Sequence, residues 1–285
     1  MSDHCPRLQR IETTPAARLG LATELFRHGH LSAALSEIDS ALLENPELAE
    51  AQHLKGLILA RQDQPEAAAP CLDYATRLAP DRVEAWVALA TVRKRLGQLK
   101  EALAAIDRAI ALDGDKGEAH LVRARLLASL DRSEGAIAAC RRALECDPRL
   151  SGAHCELGQL LSEMGDLQGA VEYVTNAAHL NPADPQNHML LGDLLRRRGE
   201  LDAAIREYRA AAALAPADVV PYVRIGETLF RNDRLAEAMV ALNQAVARDP
   251  KQADCYVMLG RIYRRQQRYR EAQEMFRIAE ARRPG

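Results

Sequence analysis

Ser151–Pro182, SGAHCELGQLLSEMGDLQGAVEYVTNAAHLNP, holds two short helix-forming segments that meet at Gly165-Asp166 and close on Asn181-Pro182. The closing proline returns 34 residues later at Pro216, then at Pro250 and Pro284. In the other direction it stands at Pro148, Pro80 and Pro46, with Gly114 in its place once. No insertion or deletion interrupts the spacing. A fixed period of this size marks a stacked repeat array, in which each unit buries its apolar side only against its neighbours. Counting outward from the quoted stretch assigns eight units to residues 15–48, 49–82, 83–116, 117–150, 151–184, 185–218, 219–252 and 253–285, after a polar tail, 1–14. The array is expected to form one elongated domain.

With the first residue of each unit taken as place 1, three columns stay small. Place 20 is Ala34, Ala68, Ala102, Ala136, Ala170, Ala204, Ala238 and Ala272; place 27 is Ala41, Ala75, Ala109, Ala143, Ala177, Ala211, Ala245 and Ala279. Place 8 is Ala22, Gly56, Ala90, Ala124, Gly158, Gly192, Gly226 and Gly260. Alanine fills 51 of 285 positions, too few to give unbroken columns through composition. Helices whose axes approach within about 8–10 Å need small side chains where they cross. Larger residues such as Leu157, Leu161 and Val174 sit between the small ones.

These columns, with Trp86, Tyr222 or Tyr256 at place 4, leucine or isoleucine mostly at place 7 and proline at place 32, resemble the tetratricopeptide repeat over nearly the whole chain. The resemblance implies an all-α fold of antiparallel helix pairs, stacked into a right-handed superhelical solenoid whose first helices line a concave groove. It also implies a scaffold for protein or peptide partners.

Composition narrows the function further. Formal net charge is −2, which offers no overall field for nucleic acid or an anionic membrane. Residues 251–285 carry nine Lys/Arg against four Asp/Glu, but the wider basic surface that usually accompanies nucleic-acid binding is lacking, so that partner is not expected. No segment approaches 18 uncharged apolar residues, and MSDHCPRLQRIETT has no signal-peptide core. No membrane insertion is expected, and the cytoplasm is the expected location. Six cysteines form no CxxC pair and should be reduced, buried thiols. There is no P-loop, no GxGxxG after a strand, no HExxH and no GxSxG, so no catalytic residue, cofactor or metal is assigned. His120, His154 and His188 share place 4. Helices about 8–10 Å apart do not bring such a row to the roughly 2.0–2.3 Å that one zinc ion needs, so these rings are expected to pack.

At 100° per residue, places 4, 7, 8 and 11 share one side of the first helix and places 2, 5, 9 and 13 the opposite side. The resemblance implies that this second stripe faces the groove. Place 5 reads Leu19, His53, Val87, Leu121, Cys155, Met189, Val223, Val257, apolar in every unit but the second. Either a docked segment covers it or it supports the contact between successive first helices. Place 9 varies most: Thr23, Leu57, Thr91, Arg125, Gln159, Asp193, Glu227, Arg261. Place 13 is arginine in six units, Arg27, Arg61, Arg95, Arg197, Arg231 and Arg265. These cations either complement the helix dipole or read a carboxylate or phosphate on the ligand. The peptide groove is accordingly assigned to Val87, Leu121, Arg125, Cys155, Gln159, Met189, Asp193, Arg197, Val223, Glu227, Arg231, Val257, Arg261 and Arg265. Apolar place 5 would supply burial, and the arginines with Asp193 and Glu227 would supply register. Met189 and Val223 are expected to accept glutamate without loss of helical content or melting temperature.

Several residues break the pattern. Lys55 and Arg123 at place 7 and Arg93 at place 11 must snorkel to water or find a partner, and Pro70 should bend the helix it falls in. The last helix carries Met275, Phe276 and Ile278, which suggests an uncapped apolar face. The reading is a non-enzymatic adaptor that binds a partner's peptide segment, with acidic or phosphate groups among the ligand chemistries considered. The alternatives are a substrate-recruiting arm of a bacterial glycosyl- or sulfotransferase system, and a homo-oligomer built through the C-terminal helix.

Overall fold

Residues 14–282 are described by a computed structural model, and among them there are sixteen α-helices and no strand. Contacts group them into two compact units that meet in sequence at Cys146 and Asp147. The first holds α1 (Pro15–Arg27), α2 (Leu31–Glu44), α3 (Ala49–Arg61), α4 (Pro65–Leu78), α5 (Val83–Arg95), α6 (Leu99–Leu112), α7 (Gly117–Ala128) and α8 (Ser133–Cys146). The second holds α9 (Ser151–Glu163), α10 (Leu167–Leu180), α11 (Pro185–Arg198), α12 (Leu201–Leu214), α13 (Val220–Arg231), α14 (Leu235–Arg248), α15 (Ala253–Arg265) and α16 (Tyr269–Arg282). Odd-numbered helices are the first of each repeat and even-numbered ones the second. Each pairs with its repeat mate, and within each unit the second helix of one repeat packs on the first helix of the next. Thr14 opens the series as an N-cap, its Oγ1 accepting from the Ala17 N–H at 3.3 Å, with Pro15 in the first turn.

The two helices of a repeat interlock at one point. Place 24 of the second helix carries Ile38, Leu72, Ile106, Cys140, Val174, Tyr208 and Leu242, all at 0% exposure, and Phe276, half-buried. Each knob faces the small residue at place 8. A β-carbon at Gly226 would lie 2.6 Å from Leu242 Cγ, and one at Gly192 would lie 2.5 Å from Tyr208 Cε1. Glycine accompanies Leu72, Val174, Tyr208, Leu242 and Phe276, whereas alanine accompanies Ile38, Ile106 and Cys140. The hole is glycine in five repeats and alanine in three. A core at crystal-like density tolerates no extra methyl without a shift.

The turn between the two helices needs a left-handed residue. Place 15 has positive φ in all eight repeats: Gly29, Gly97, Gly165 and Gly199, but also Asp63, Asp131, Asp233 and Gln267. Aspartate tolerates this region through local hydrogen bonding. Gln267, at φ 63°, is the least suited of the eight.

Polar links tie repeats together. The place-4 side chain donates to the carbonyl of the residue six positions earlier, which closes the preceding repeat: Trp86 Nε1 to Pro80 at 3.0 Å, His120 Nε2 to Gly114 at 2.9 Å, His154 Nε2 to Pro148 at 3.0 Å, His188 Nε2 to Pro182 at 3.1 Å. Gln52 and Tyr256 do the same to Pro46 and Pro250. Flat rings and amides recur there because the position needs a donor on a body that packs. In the first unit the misfit cations also find partners in a single column. Lys55 meets Asp39 at 2.7 Å, Arg93 meets Asp73 at 2.9 Å and Arg123 meets Asp107 at 2.8 Å, each aspartate at place 25 of the preceding repeat.

Helix α4 continues from Pro65 to Leu78 through Pro70. The apolar residues of α16 are partly covered, with Met275, Phe276 and Ile278 half-buried and Tyr269 62% exposed. Phe276 seats over Gly260 and Met275 packs against the core of the second unit. Along the edge that earlier second helices turn to the next repeat, places 21 and 28, such as Ile205 and Ala212, are mostly apolar. In α16 they are Gln273 and Glu280, both exposed.

Two outcomes follow for stability. Gly226→Ala should lower urea-unfolding stability by about 1–3 kcal/mol. Adding Leu242→Ile should recover part of the loss, because it recreates the Ala90–Ile106 pairing. Gln267→Gly should raise stability by about 1 kcal/mol by relieving the left-handed turn, read as a higher urea midpoint at unchanged slope.

Candidate first-helix binding face

In the first unit the first-helix stripe is concave in two places. One cleft, about 320 Å³, lies between α1 and α3 and is lined by Leu19, Thr23, Phe26, Arg27, Glu50, His53, Leu54, Leu57 and Arg82. The other, about 360 Å³, lies between α3 and α5 and is lined by His53, Leu57, Glu84, Val87, Ala88, Thr91, Val92, Lys116 and Glu118. Both open on places 2, 5, 6 and 9, so an apolar floor is edged by charge. Arg82 pairs with Glu50 at 3.1 Å, and Lys116 pairs with Glu84, holding that carboxyl below its usual range chiefly through the hydrogen bond.

His53 is the shared wall of the two clefts. It is 8% exposed and its Nε2 has no hydrogen-bond partner. Burial, helped by the Arg82 charge, pushes its pKa down to about 4. The ring is neutral in the folded protein and contributes an apolar, weakly polar surface between the two clefts.

The second unit has a different concavity. A cleft of about 500 Å³ lies on the second-helix side, lined by Arg209, Ala212, Ala213, Pro216, Tyr222, Ile225, Leu229, Glu237, Val240, Ala241 and Gln244. It opens where the alanine run of α12 leaves space beside α14, and Val240 stands 60% exposed on its rim.

The residues assigned to the groove from sequence do not form one surface. Val87 lines the α3–α5 cleft. Leu121 and Met189 are buried, at 7% and 9% exposure, while Val223 and Val257 are half-buried. Much of place 5 therefore supports packing between first helices, and Met189→Glu would bury a charge rather than leave melting unchanged. Arg125, Gln159 and Arg261 are exposed. Cys155 donates its thiol to Asn187 Oδ1 at 2.8 Å, and Asn187 in turn donates to the Ala177 and Asn181 carbonyls at 3.2 Å each. Asp193 and Glu227 are brought together by Arg224, at 3.8 and 3.0 Å, and Asp193 also accepts from Tyr208 Oη at 2.7 Å.

The place-13 arginines mostly reach back to the preceding repeat. Arg95 donates to the Ala60 carbonyl at 2.6 Å and pairs with Asp63. Arg197 bonds the Ser162 hydroxyl and, at 3.1 Å, its carbonyl. Arg265 meets Asp233 at 2.9 Å and lies 4.7 Å over the Phe230 ring, and Arg61 lies 4.1 Å over Phe26. Arg27, in the first repeat, turns to Glu24 at 2.6 Å in its own helix. Arg231 is exposed. This column joins successive first helices at their C-terminal ends.

The tetratricopeptide repeat profile matches residues 19–83, 53–114, 87–150 and 155–219, and a second profile of the same description matches 229–285. The chain belongs to the tetratricopeptide repeat family. Among curated proteins no sequence matches it. Among solved structures, tetratricopeptide repeat folds align throughout. The type IV pilus biogenesis factor PilW aligns at 20% identity and a TM-score of 0.66, over 75% of this chain and 98% of its own. A tetratricopeptide repeat protein from Parabacteroides merdae aligns at 21% identity and 0.58, over 83% and 94%. YrrB, described as a tetratricopeptide repeat protein with an unusual peptide-binding site, aligns at 20% and 0.54, over 66% and 96%. At these identities the likeness is one of fold.

Sequence reasoning left Leu19, Thr23, His53, Leu57 and Thr91 outside the assigned groove, although they occupy the same places 5 and 9 that it used. Their signal was present in the columns, and what distinguishes them is the depth of the surface between neighbouring helices.

His53 also sets a pH dependence. Its folded pKa lies below the 6.5 of a free imidazole, so the unfolded chain takes up a proton first as pH falls. Its contribution is present above pH 6.5 and is lost down to about pH 4. Between pH 7 and 5, wild type should lose about 2 kcal/mol more stability than His53→Leu, measured by urea unfolding at both pH values.

Proposed function

We propose that this chain is a non-enzymatic adaptor that binds a peptide segment of a partner protein on its first-helix face, with the α1–α3 and α3–α5 clefts as the contact. The observation that carries the reading is the pair of apolar-floored clefts along one stripe of successive first helices, edged by Glu50, Glu84, Arg82 and Lys116. Removing apolar surface from water contributes about 25 cal/mol per Å², and a shallow face several repeats long gathers enough of it without a deep pocket. The peptide-binding site named for YrrB, a protein of the same fold, fits this reading. A phosphate- or carboxylate-reading arginine ladder has less support, since Arg61, Arg95, Arg197 and Arg265 already hold partners in the neighbouring repeat. Assembly through α16 is likewise disfavoured by Gln273 and Glu280 on its outward edge.

Leu57→Glu combined with Thr91→Glu should abolish partner capture from a lysate of the source organism, while circular dichroism and melting stay close to wild type. Thr91 is exposed and Leu57 half-buried, both on helix surfaces that glutamate suits. Val240→Glu, on the second-helix side of the other unit, should leave capture intact. Capture lost with Val240→Glu and kept in the double variant would move the site to that cleft and overturn the assignment.

A further inference from the structure

The two clefts of the first unit lie one repeat apart, share His53 and Leu57 as a common wall, and carry opposite charge at their edges. The α1–α3 cleft is edged by two cations, Arg27 and Arg82, against one carboxylate, Glu50. The α3–α5 cleft is edged by two carboxylates, Glu84 and Glu118, against one cation, Lys116. By lining side chains the sign differs from one cleft to the next, although Arg27 is also paired with Glu24 at 2.6 Å and Arg82 with Glu50 at 3.1 Å.

Size and spacing restrict what can fill both. At about 320 and 360 Å³, each cleft has room for one large side chain with its flanking backbone. Neither is large enough to enclose a helix, whose diameter with side chains is about 10–12 Å, so a helix would reach them only with its side chains. Successive first helices touch, as α1 with α3 and α3 with α5 do, and axes in contact lie about 8–10 Å apart. A β-strand turns residues i and i+3 to opposite faces, and its i and i+2 pair is only about 6.6–6.8 Å apart. A polyproline II segment rises about 3.1 Å per residue with three residues per turn. It puts residues i and i+3 on one face roughly 9 Å apart, in register with the two clefts.

We infer that the ligand of this face is an extended, polyproline II-like peptide segment with two large apolar side chains three residues apart, flanked by an acidic residue at the α1–α3 end and a basic residue at the α3–α5 end. The inference rests on the peptide-binding reading above and adds the pattern of the ligand. Leu19, Phe26 and Leu54 receive one apolar side chain, and Val87, Ala88 and Val92 the other. The acidic flank lies near Arg27 and Arg82, and the basic flank near Glu84 and Glu118. The charge reversal fixes which end of the pattern lies over which cleft, whichever way the peptide runs from N to C.

The test is selection of a phage-displayed library of random 12-residue peptides on the whole chain. Leu57→Glu and Thr91→Glu, each made singly, serve as counter-selectors, and fluorescence anisotropy follows on the enriched peptides. Enriched sequences should carry two large apolar residues at i and i+3 between opposite charges. Moving the second apolar residue to i+2 or i+4 should weaken binding at least tenfold, and exchanging the two charged ends should weaken it several-fold. Either single variant should also lose the peptide, and the exposed Thr91 site keeps the result readable if Leu57→Glu unfolds. Enriched peptides with another spacing, or with a helical i and i+7 pattern, that still depend on Leu57 and Thr91 would overturn the pattern and leave the peptide-binding face standing. No enrichment over the variants would overturn both.

Discussion

The fold depends on the contact between place 8 of the first helix and place 24 of the second. Gly192 against Tyr208 and Gly226 against Leu242 leave no room for one more carbon, and the repeats that carry Ile38, Ile106 and Cys140 have alanine at place 8 instead. The contact sets how closely the paired helices approach, and the alanine columns at places 20 and 27 follow from that closeness. With the crossing held, the opposite stripe of the first helix takes little part in pairing the two helices of its own repeat, the 2.7 Å bond from Tyr208 Oη to Asp193 excepted. Variation at place 9, from Thr23 to Leu57 to Thr91, can therefore alter the surface without altering the scaffold.

Between repeats the linkage is polar and directional. Each of Trp86, His120, His154 and His188 reaches back to the carbonyl closing the repeat before it. Arg95, Arg197 and Arg265 reach back from the other end of the first helix. Carbonyls at and just past helix ends lack intrahelical partners, so these donors link neighbouring repeats at both ends of the first helices. Between them lies the middle of the stripe, where the first unit keeps its clefts. The place-4 histidines and four of the six place-13 arginines, Arg61, Arg95, Arg197 and Arg265, serve that linkage.

The period, the helix pairs and the small columns were legible in the sequence because each is a property of one place repeated eight times. Place 24 was not, because its meaning lies in a pair: Ile, Leu, Cys, Val, Tyr and Phe make no column until each is set beside the alanine or glycine it fills. The left-handed turn was half legible, through Gly29, Gly97, Gly165 and Gly199, and hidden where Asp63, Asp131, Asp233 and Gln267 take the same conformation. The role of the place-13 arginines was obscured for a different reason, since their partners stand 32 to 35 residues back. For the candidate face, the stripe was readable from helical periodicity and Val87 was placed in it. The burial of Leu121 and Met189, the thiol bond of Cys155 and the clefts around His53 depend on the spacing of neighbouring helices, which no single place records.

The most direct measurement is a saturation mutagenesis scan of the whole array, read as resistance of the displayed protein to proteolysis. The account predicts intolerance recurring with period 34 at places 8, 20, 24 and 27. It predicts that glycine, asparagine and aspartate are preferred at place 15, with Gln267 the native residue there most improved by substitution, and broad tolerance at place 9 outside Asp193, Leu57 and Thr91 included. Intolerance concentrated at place 9, with places 8 and 24 accepting larger side chains independently of each other, would contradict it.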